Sequence, residues 1–271
     1  MSSAARTNLS SDKVRIHSQQ IIGEGAFRLA YAGTYEGGNR NNQEAVCKKF
    51  KSKYNVLESE FFAADFKIAD RAIQYAEDWN RMCEFGKEIL VTKGSVHLIG
   101  GQLYLVEPLI RYFTKFTSNN GWIANEDDEG WAVLALEAFS HYTYHKSGGQ
   151  MIVCDLQGRY RHNRYNRGKC RFELTDPAIC SRSRSYGPTD LGEKGISSFF
   201  ANHQCNRFCN FDGHWQRPRN ESQWFPTSSS TSMIPSSMAH RLGLEYRTTF
   251  REGLNGILEE DEEDSDDSGY W

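Results

Sequence analysis

The chain has 271 residues, 38% hydrophobic and 13% aromatic, which is enough apolar surface for one sizeable domain or two small ones and too much for a chain disordered throughout. No window approaches about 18 unbroken apolar residues, which excludes a transmembrane helix, and the polar stretch from Met1 to Ser18 has no apolar run behind its basic residues, so no signal peptide is expected. The net charge of −3 is uneven: residues 259–267, EEDEEDSDD, carry eight acids, and the remainder comes to about +5.

The acidic run is expected to be a solvated, disordered tail, with partner binding or self-masking as its alternative role. The seven scattered cysteines, without a secretion signal, read as reduced thiols available for metal, in a cytoplasmic protein.

In chain order, residues 1–14 read as a loose leader. Gln20 to Phe50 is strand-like, with a turn at Gly23-Glu24-Gly25, and Val46 to Phe50 alternates between faces. Residues 58–82 form a helix whose apolar stripe is Phe61, Phe62, Phe66, Ala69, Ile73 and Ala76. Gln102 to Val106 is a strand stopped by Pro108. Trp131 to His145 is a helix with Trp131, Leu134, Ala135, Ala138, Phe139 and Tyr142 on one side. Met151 to Leu156 is a short buried strand that runs past Asp155, and Ile196 to Ala201 opens a last helix. Residues 226–237, PTSSSTSMIPSS, read as a polar linker whose hydroxyls at 227–232 are candidate autophosphorylation positions. Strands followed by a mixed half predict an α+β fold, and two lobes with a cleft between them fit it.

The densest chemistry is His203-Gln204-Cys205-Asn206-Arg207-Phe208-Cys209, an H-x-C-x₃-C run. Zinc takes imidazole nitrogen and thiolate sulfur, four ligands when the site is structural, so a fourth must come from elsewhere. Gly23 to Arg28 either reverses a strand or brings backbone N–H groups and an arginine to a polyphosphate. Lys48 and Lys49 point to opposite strand faces, so one can enter a cleft, unless both lie on the surface. Asp155 and Asp176, with Gln157, can orient an attacking hydroxyl and hold Mg²⁺; alternatively Asp155 caps a loop and Asp176 starts the turn before Pro177. Gly187 to Gly195 cradles an anion or simply leads into a helix capped by Thr189 or Asp190. The H-R-D, D-F-G and A-P-E signatures of conventional protein kinases are absent.

The segments GAFRLAY, VCKKF, YLVEPLI, FSHYTYHKSGGQMIVCDLQG, LTDPAIC, GPTDLGEKGI and HQCNRFC, in this order, resemble the alpha-kinase family, the atypical serine/threonine kinases that include myosin heavy chain and elongation-factor kinases. The resemblance runs from about residue 20 to about residue 210. It implies a two-lobed atypical kinase fold over residues 15–222, with an N-lobe of about 15–107, a C-lobe of about 108–222 stabilised by zinc, and a linker and acidic tail over 223–271. It implies His141 as the missing zinc ligand beside His203, Cys205 and Cys209. It places Lys48 and the loop Gly25, Ala26, Phe27, Arg28 and Leu29 on ATP phosphates, and Glu107 and Leu109 beside adenine. Asp155 becomes the catalytic aspartate, Gln157 and Asp176 the Mg²⁺ ligands, and Gly187, Thr189, Asp190, Gly192 and Gly195 a substrate loop. The implied activity is Mg-ATP-dependent phosphorylation of protein serine or threonine. The alternatives are an inactive nucleotide-binding scaffold of the same fold and a zinc-stabilised nucleic-acid module. Retention of Lys48, Asp155, Gln157 and Asp176 counts against the scaffold, and nucleic acid is disfavoured as a partner.

One departure from the family pattern stands out. Residues 159–171 hold six Arg/Lys and no acid. They predict a flexible basic loop beside the active site that recruits an acidic partner or the chain's own tail, with a solvated insertion as the plain alternative. Tyr160 and Tyr165 among the arginines also suit nucleic-acid stacking.

Overall fold

The alternation between Gln20 and Phe50 becomes strands β1 (Lys13–Glu24), β2 (Arg28–Glu36) and β3 (Glu44–Phe50) in the computed structural model, which describes residues 13–24, 27–82, 86–124, 130–162, 169–209 and 215–234. With β5 (Ser95–Ile99) and β6 (Gln102–Pro108) they form an antiparallel sheet in the order β1-β2-β3-β6-β5. The leader is shorter than expected: β1 starts at Lys13, and Val14 is buried against Tyr35 and Cys47. The expected acidic tail lies outside the described residues.

Helix α1 (Glu58–Met82) matches its expected span and ties two cores together. Phe61, Phe62 and Phe66 pack with Phe27, just before β2, and with Phe50 and Leu105 from the first sheet. Ala72, Tyr75, Ala76 and Trp79, farther along, pack with Phe139, Tyr142 and Phe172 in the second core. Strand β4 (Lys87–Val91) follows the helix but joins the second sheet, pairing in parallel with β10 (Cys170–Thr175). The Asn80 side chain holds it there: the amide nitrogen donates to the Ile89 carbonyl at 2.7 Å and the amide oxygen accepts from the Ile89 N–H at 2.8 Å. A division at residue 107 therefore overlooks a strand that crosses over. Local periodicity carries no information about which sheet a strand joins.

The second sheet has the order β4-β10-β9-β7, with β9 (Gln157–His162) and β7 (Thr114–Lys115). A third, two-stranded sheet pairs β8 (Met151–Cys154) with β11 (Ala178–Ser181). Helix α2 (Gly130–Lys146) is buried on nearly every side, so it has no single apolar face; Trp131 and Leu134, expected on that face, are only half-buried. Helix α3 (Gly192–Asn202) closes the fold. Among the described residues no helix is long and apolar enough to cross a membrane.

The two ends of the basic stretch are strands, where a loop was expected. Residues 159–162 and 170–171 belong to β9 and β10, and residues 163–168 lie outside the described residues. Arg159 pairs with Glu173 at 2.5 Å and Arg171 with Glu88 at 2.6 Å. Tyr160 packs edge-on against Trp131, 5.0 Å between ring centres, which takes it out of any base-stacking role. At the usual rise per strand residue, His162 lies about 17 Å along β9 from Gln157.

Candidate active site and metal cluster

Strand alternation decides between the two lysines. Lys48 shares its face of β3 with Phe50, which packs on α1, whereas Lys49 lies on the opposite face with Ala45 and Cys47. The Lys48 Nζ donates to Glu107 Oε2 at 2.7 Å and to the Asp176 carboxylate. Glu107 also accepts from Thr175 Oγ1 at 2.9 Å. Burial disfavours the Lys48 ammonium, but Asp176 and Glu107 more than offset it and raise its pKa. Burial raises the Glu107 carboxyl, with Lys48 opposing. Asp176 goes the other way: burial works against its charge, yet Lys48 prevails and its pKa is lowered. Glu107, expected beside adenine, is thus a buried partner of Lys48. The Leu109 N–H donates to the Glu44 carbonyl at 3.0 Å and ties this crossover to β3.

The two aspartates share one local cause. Cys154 pairs with Ala178, and Gln157 with Thr175, in the same register. β8-β9 and β10-β11 are therefore one long hairpin interrupted by two residues on each strand, Asp155-Leu156 and Asp176-Pro177. Both aspartates adopt positive φ, 58° and 50°, a region that non-glycine residues seldom enter and that Asp tolerates better than most. Leaving the ladder turns both carboxylates out of the sheet. Gly158 allows the strands to close again: its φ is +147°, and a Cβ there would lie 2.1 Å from the Glu173 carbonyl oxygen. Gln157 Nε2 donates to the Asp176 carbonyl at 3.1 Å, which brings the two predicted Mg²⁺ ligands together.

Asp155 is buried, with Lys115 Nζ 2.8 Å from its Oδ1 and Thr231 Oγ1 donating to its Oδ2 at 2.8 Å. Burial raises its pKa, with Lys115 and Thr231 pulling the other way. A carboxylate with its affinity for protons raised, hydrogen-bonded to a hydroxyl, is arranged to accept that proton.

The predicted phosphate loop is only partly assembled. Gly25 and Ala26 lie outside the described residues. Phe27 turns into the core, 4.7 Å from the Tyr54 ring. Arg28 pairs with Asp65 at 2.5 Å and lies over the Phe50 ring at 4.5 Å. Leu29 is a β2 residue paired with Lys49. In the second glycine-rich loop Asp190 is fully buried and organises the turn, accepting from Ser181 N at 2.7 Å, Ser181 Oγ at 2.6 Å, Tyr186 N at 3.2 Å and Gly192 N at 3.0 Å. Gly187 and Gly192 take positive φ there. Gly195 lies inside α3, where a Cβ would meet Cys180 Sγ at 2.5 Å. Asp190 and Gly195 therefore support the loop from within, and the Thr189 carbonyl accepts from Asn119 Nδ2 at 2.8 Å.

The predicted metal ligands do converge. His141, from α2, meets His203, Cys205 and Cys209, and one donor atom from each lies within 4.8 Å of all the others. Second contacts fix both imidazoles. His141 Nε2 lies 3.1 Å from the Gln216 carbonyl, so that nitrogen carries the proton and Nδ1 keeps its lone pair. His203 Nδ1 lies 3.0 Å from Glu137 Oε1, so Nε2 keeps its lone pair, 3.2 Å from His141 Nδ1. Burial, and then the neighbouring His203, lower the His141 pKa to about 4; burial lowers that of His203 to about 4. Both rings are neutral near pH 7, as metal ligands must be. A carboxylate behind a ligating histidine is the usual supporting arrangement of a metal site.

Sequence reasoning missed Lys115, Asn119 and Asn120, and it singled out Thr231 only as one of the hydroxyls at 227–232, without its contact to Asp155. It also missed the packing of the supposed linker. Phe225 is buried with Phe199 and Phe200, and residues 228–232 lie across the Asp155 pocket. Their order comes from side-chain amides contributed far away in sequence, which leave no periodic trace. The hydroxyl density at 227–232 was the one available signal.

The family model described as the alpha-kinase family matches residues 23–209. Eukaryotic elongation factor 2 kinase of Caenorhabditis elegans is 33% identical over 202 residues, 72% of this chain and 24% of that protein. The chain thus spans about a quarter of the length of that curated relative. Among solved structures, an alpha kinase from Entamoeba histolytica superposes with a TM-score of 0.63 at 24% identity, covering 82% of this chain and 85% of that one. The alpha-kinase domain of myosin-II heavy chain kinase A in complex with AMP-PNP gives 0.59 at 24% identity, covering 73% and 86%. At that identity the two structures establish a shared fold.

Proposed function

We propose that this chain, which belongs to the alpha-kinase family, transfers the γ-phosphate of Mg-ATP to serine and threonine hydroxyls of protein substrates. The observation that carries this reading is the pairing of two features in one cleft: Lys48 held between Glu107 and Asp176, and Asp155 holding a threonine hydroxyl. Phosphoryl transfer needs positioning and charge neutralisation more than covalent chemistry. Lys48 neutralises phosphate charge once it gives up its contact to Asp176. Asp155 orients the acceptor hydroxyl and takes its proton, and Lys115 keeps Asp155 in place. Gln157 and Asp176 would hold Mg²⁺, which when bound screens the phosphate oxygens. ATP as donor is supported by the AMP-PNP that the myosin-II heavy chain kinase A domain carries. The adenine position near Leu109 and the Gly187–Gly195 loop as the substrate-facing element belong to this reading. So does a cytoplasmic location.

His141, His203, Cys205 and Cys209 fit zinc. Two lone pairs and two sulfurs face one centre, and the Arg217 guanidinium donates to Cys205 Sγ at 3.5 Å. Four protein ligands leave no open position, so the metal is structural and pins α2 to the segment after α3. An acidic partner at residues 159–171 has little to stand on, because Arg159 and Arg171 already have carboxylate partners.

The test is transfer of labelled γ-phosphate from Mg-ATP to the protein and to a generic basic protein, comparing the native chain with Asp155→Ala. Label on serine or threonine that the variant abolishes supports the kinase. Bound nucleotide without transfer by the native chain would replace it with the inactive scaffold.

A further inference from the structure

Between the buried residues Ser181 and Tyr186 the chain surfaces for four residues, Arg182-Ser183-Arg184-Ser185, all of them exposed. The turn is built from below. Asp190 Oδ2 accepts from Ser181 Oγ at 2.6 Å and from the Tyr186 N–H at 3.2 Å, and the Arg184 N–H donates to the Ser181 carbonyl at 3.2 Å. Its outer part is held less firmly. Arg184 has a φ of 48°, a region that side-chain-bearing residues seldom enter, and the Ser185 N–H reaches Ser181 Oγ only at 3.4 Å. The Ser185 hydroxyl accepts from Ser183 Oγ at 3.0 Å and donates to nothing among the described residues. The side chains around it are cationic. Lys67, on α1, donates from Nζ to the Ser185 carbonyl at 2.7 Å and lies 4.5 Å from the centre of the Tyr186 ring. The Arg184 side chain runs over Gly192, where a Cβ would lie 2.6 Å from its Nε. Neither has a carboxylate partner among the described residues. Arg182 does, in Glu193 at 2.7 Å. Gly187, at the start of the predicted substrate loop, comes so near α1 that a Cβ there would lie 2.7 Å from the Ala64 Cβ. Ser185 therefore stands at the seam between α1 and that loop.

We propose that Ser185 is a phosphorylation site for a separate, arginine-directed serine kinase, and that Lys67 holds the phosphate it receives. In an extended chain residues two apart share a face. Arg182 and Arg184 then present two guanidinium groups on one side, and Ser185 its hydroxyl on the other. An acidic groove recognises the first side, and a catalytic base reaches the second. The Arg182–Glu193 pair is exposed and holds weakly, so Arg182 can leave it for such a groove. In the step, the Ser185 Oγ forms a bond to the γ-phosphorus of the second kinase's ATP, and its proton passes to that kinase's base. The bond from that phosphorus to the β–γ bridging oxygen breaks, and the electron pair leaves with ADP. The product carries nearly two negative charges. Lys67 already reaches the Ser185 carbonyl, so phosphate oxygens on the same residue come within its range and accept a charge-assisted hydrogen bond. That bond ties α1, which also carries the Asp65 partner of Arg28, to the start of the Gly187–Gly195 loop. The site is independent of Asp155 and of the kinase reading above.

The experiment uses the full chain, stripped by phosphatase and incubated with Mg-ATP, with and without the catalytic subunit of a cyclic-nucleotide-dependent protein kinase as the probe. Cleavage after glutamate releases residues 174–193, bounded by Glu173 and Glu193, and fragment masses place the phosphate. The expected result is phosphate on Ser185 only when the second kinase is present. Ser185→Ala removes it, and Arg182→Ala slows it about tenfold or more. The phosphorylated chain should unfold about 2–4 °C higher than the untreated chain, and that rise should vanish in Lys67→Gln phosphorylated to the same extent. Phosphate on Ser183 alone, or none on Ser185, overturns the site. A synthetic peptide of residues 178–190 run alongside then tells a loop that cannot straighten from a sequence that is not recognised. Phosphate on Ser185 without the second kinase overturns the assignment to a separate enzyme. A midpoint that does not rise, or that rises equally in Lys67→Gln, overturns the role of Lys67.

Discussion

Two buried polar clusters divide this molecule, and they are built on opposite principles. Around His141 and His203 every polar contact fixes one state: both rings are held neutral and each tautomer is set by a second partner. Around Asp155 and Asp176 the contacts are charged, the backbone is strained at two positions, and Lys48 is shared between two carboxylates. The first cluster specifies structure and the second keeps alternatives open for phosphate and metal to exploit. Burial alone does not mark a site of chemistry; buried charge with interchangeable partners does.

That contrast breaks most visibly at the metal. If the four ligands hold zinc as proposed, removing it, by chelation or by Cys209→Ser, is expected to unfold the half of the protein around α2 and α3, since binding to such sites is worth roughly 10 kcal/mol. Near-ultraviolet circular dichroism and metal content decide it; an unchanged thermal midpoint with the zinc gone would refute the structural role. Asp155→Ala should do the reverse, lowering kcat by about 10²–10⁴-fold, the usual worth of a positioned base, while the thermal midpoint holds. A folded variant retaining more than about a tenth of the activity would remove Asp155 from the chemistry. Gly158→Ala should affect both, because its Cβ would enter a backbone carbonyl. A loss of about 3 kcal/mol in denaturant unfolding is expected, and a loss under 1 kcal/mol would show that the hairpin relaxes easily.

The smallest effect is in pH. Asp155 must be ionised to accept a proton, and burial raises its pKa above the ordinary 3.8. The acid limb of kcat/KM should therefore have its midpoint above that value; a limb at or below it would mean another group is the base. Stability carries both signs. The lowered pKa of Asp176 contributes stability that is complete above 3.8 and lost as pH falls through its depressed folded value. The raised pKa of Asp155 contributes below 3.8 and is lost as pH rises through its folded value. A pH titration of unfolding with Asp176→Asn separates the two.

The sequence made local order legible and long-range order only through motif. The α1 span was readable because Phe61, Phe62 and Phe66 repeat at helical spacing over one core. The side of α2 was not, because a helix buried all round has no stripe to reveal. His203, Cys205 and Cys209 announced themselves by spacing, whereas His141 needed the resemblance, being 62 residues from its nearest partner in sequence. Asp155 and Asp176 were found as motif residues, but the interrupted hairpin that turns them outward exists only in the pairing. Residues 228–232 were read as a linker because Asn119 and Asn120 order them through side-chain amides, and polar residues without a period resemble solvent-exposed chain.

The crossing of β4 has a consequence for exchange between relatives. A recombinant that borrowed residues 13–108 from another chain would import the far half of α1 and an edge strand, and set both into a foreign interior. Asn80, on the borrowed piece, would still grip Ile89, also borrowed, but that strand would meet a β10 it had never been matched to. The heritable unit is thus the whole sequence from β1 to the segment that closes over Asp155. Shuffling by lobes should yield insoluble chimeras, whereas transplanting the complete span should succeed.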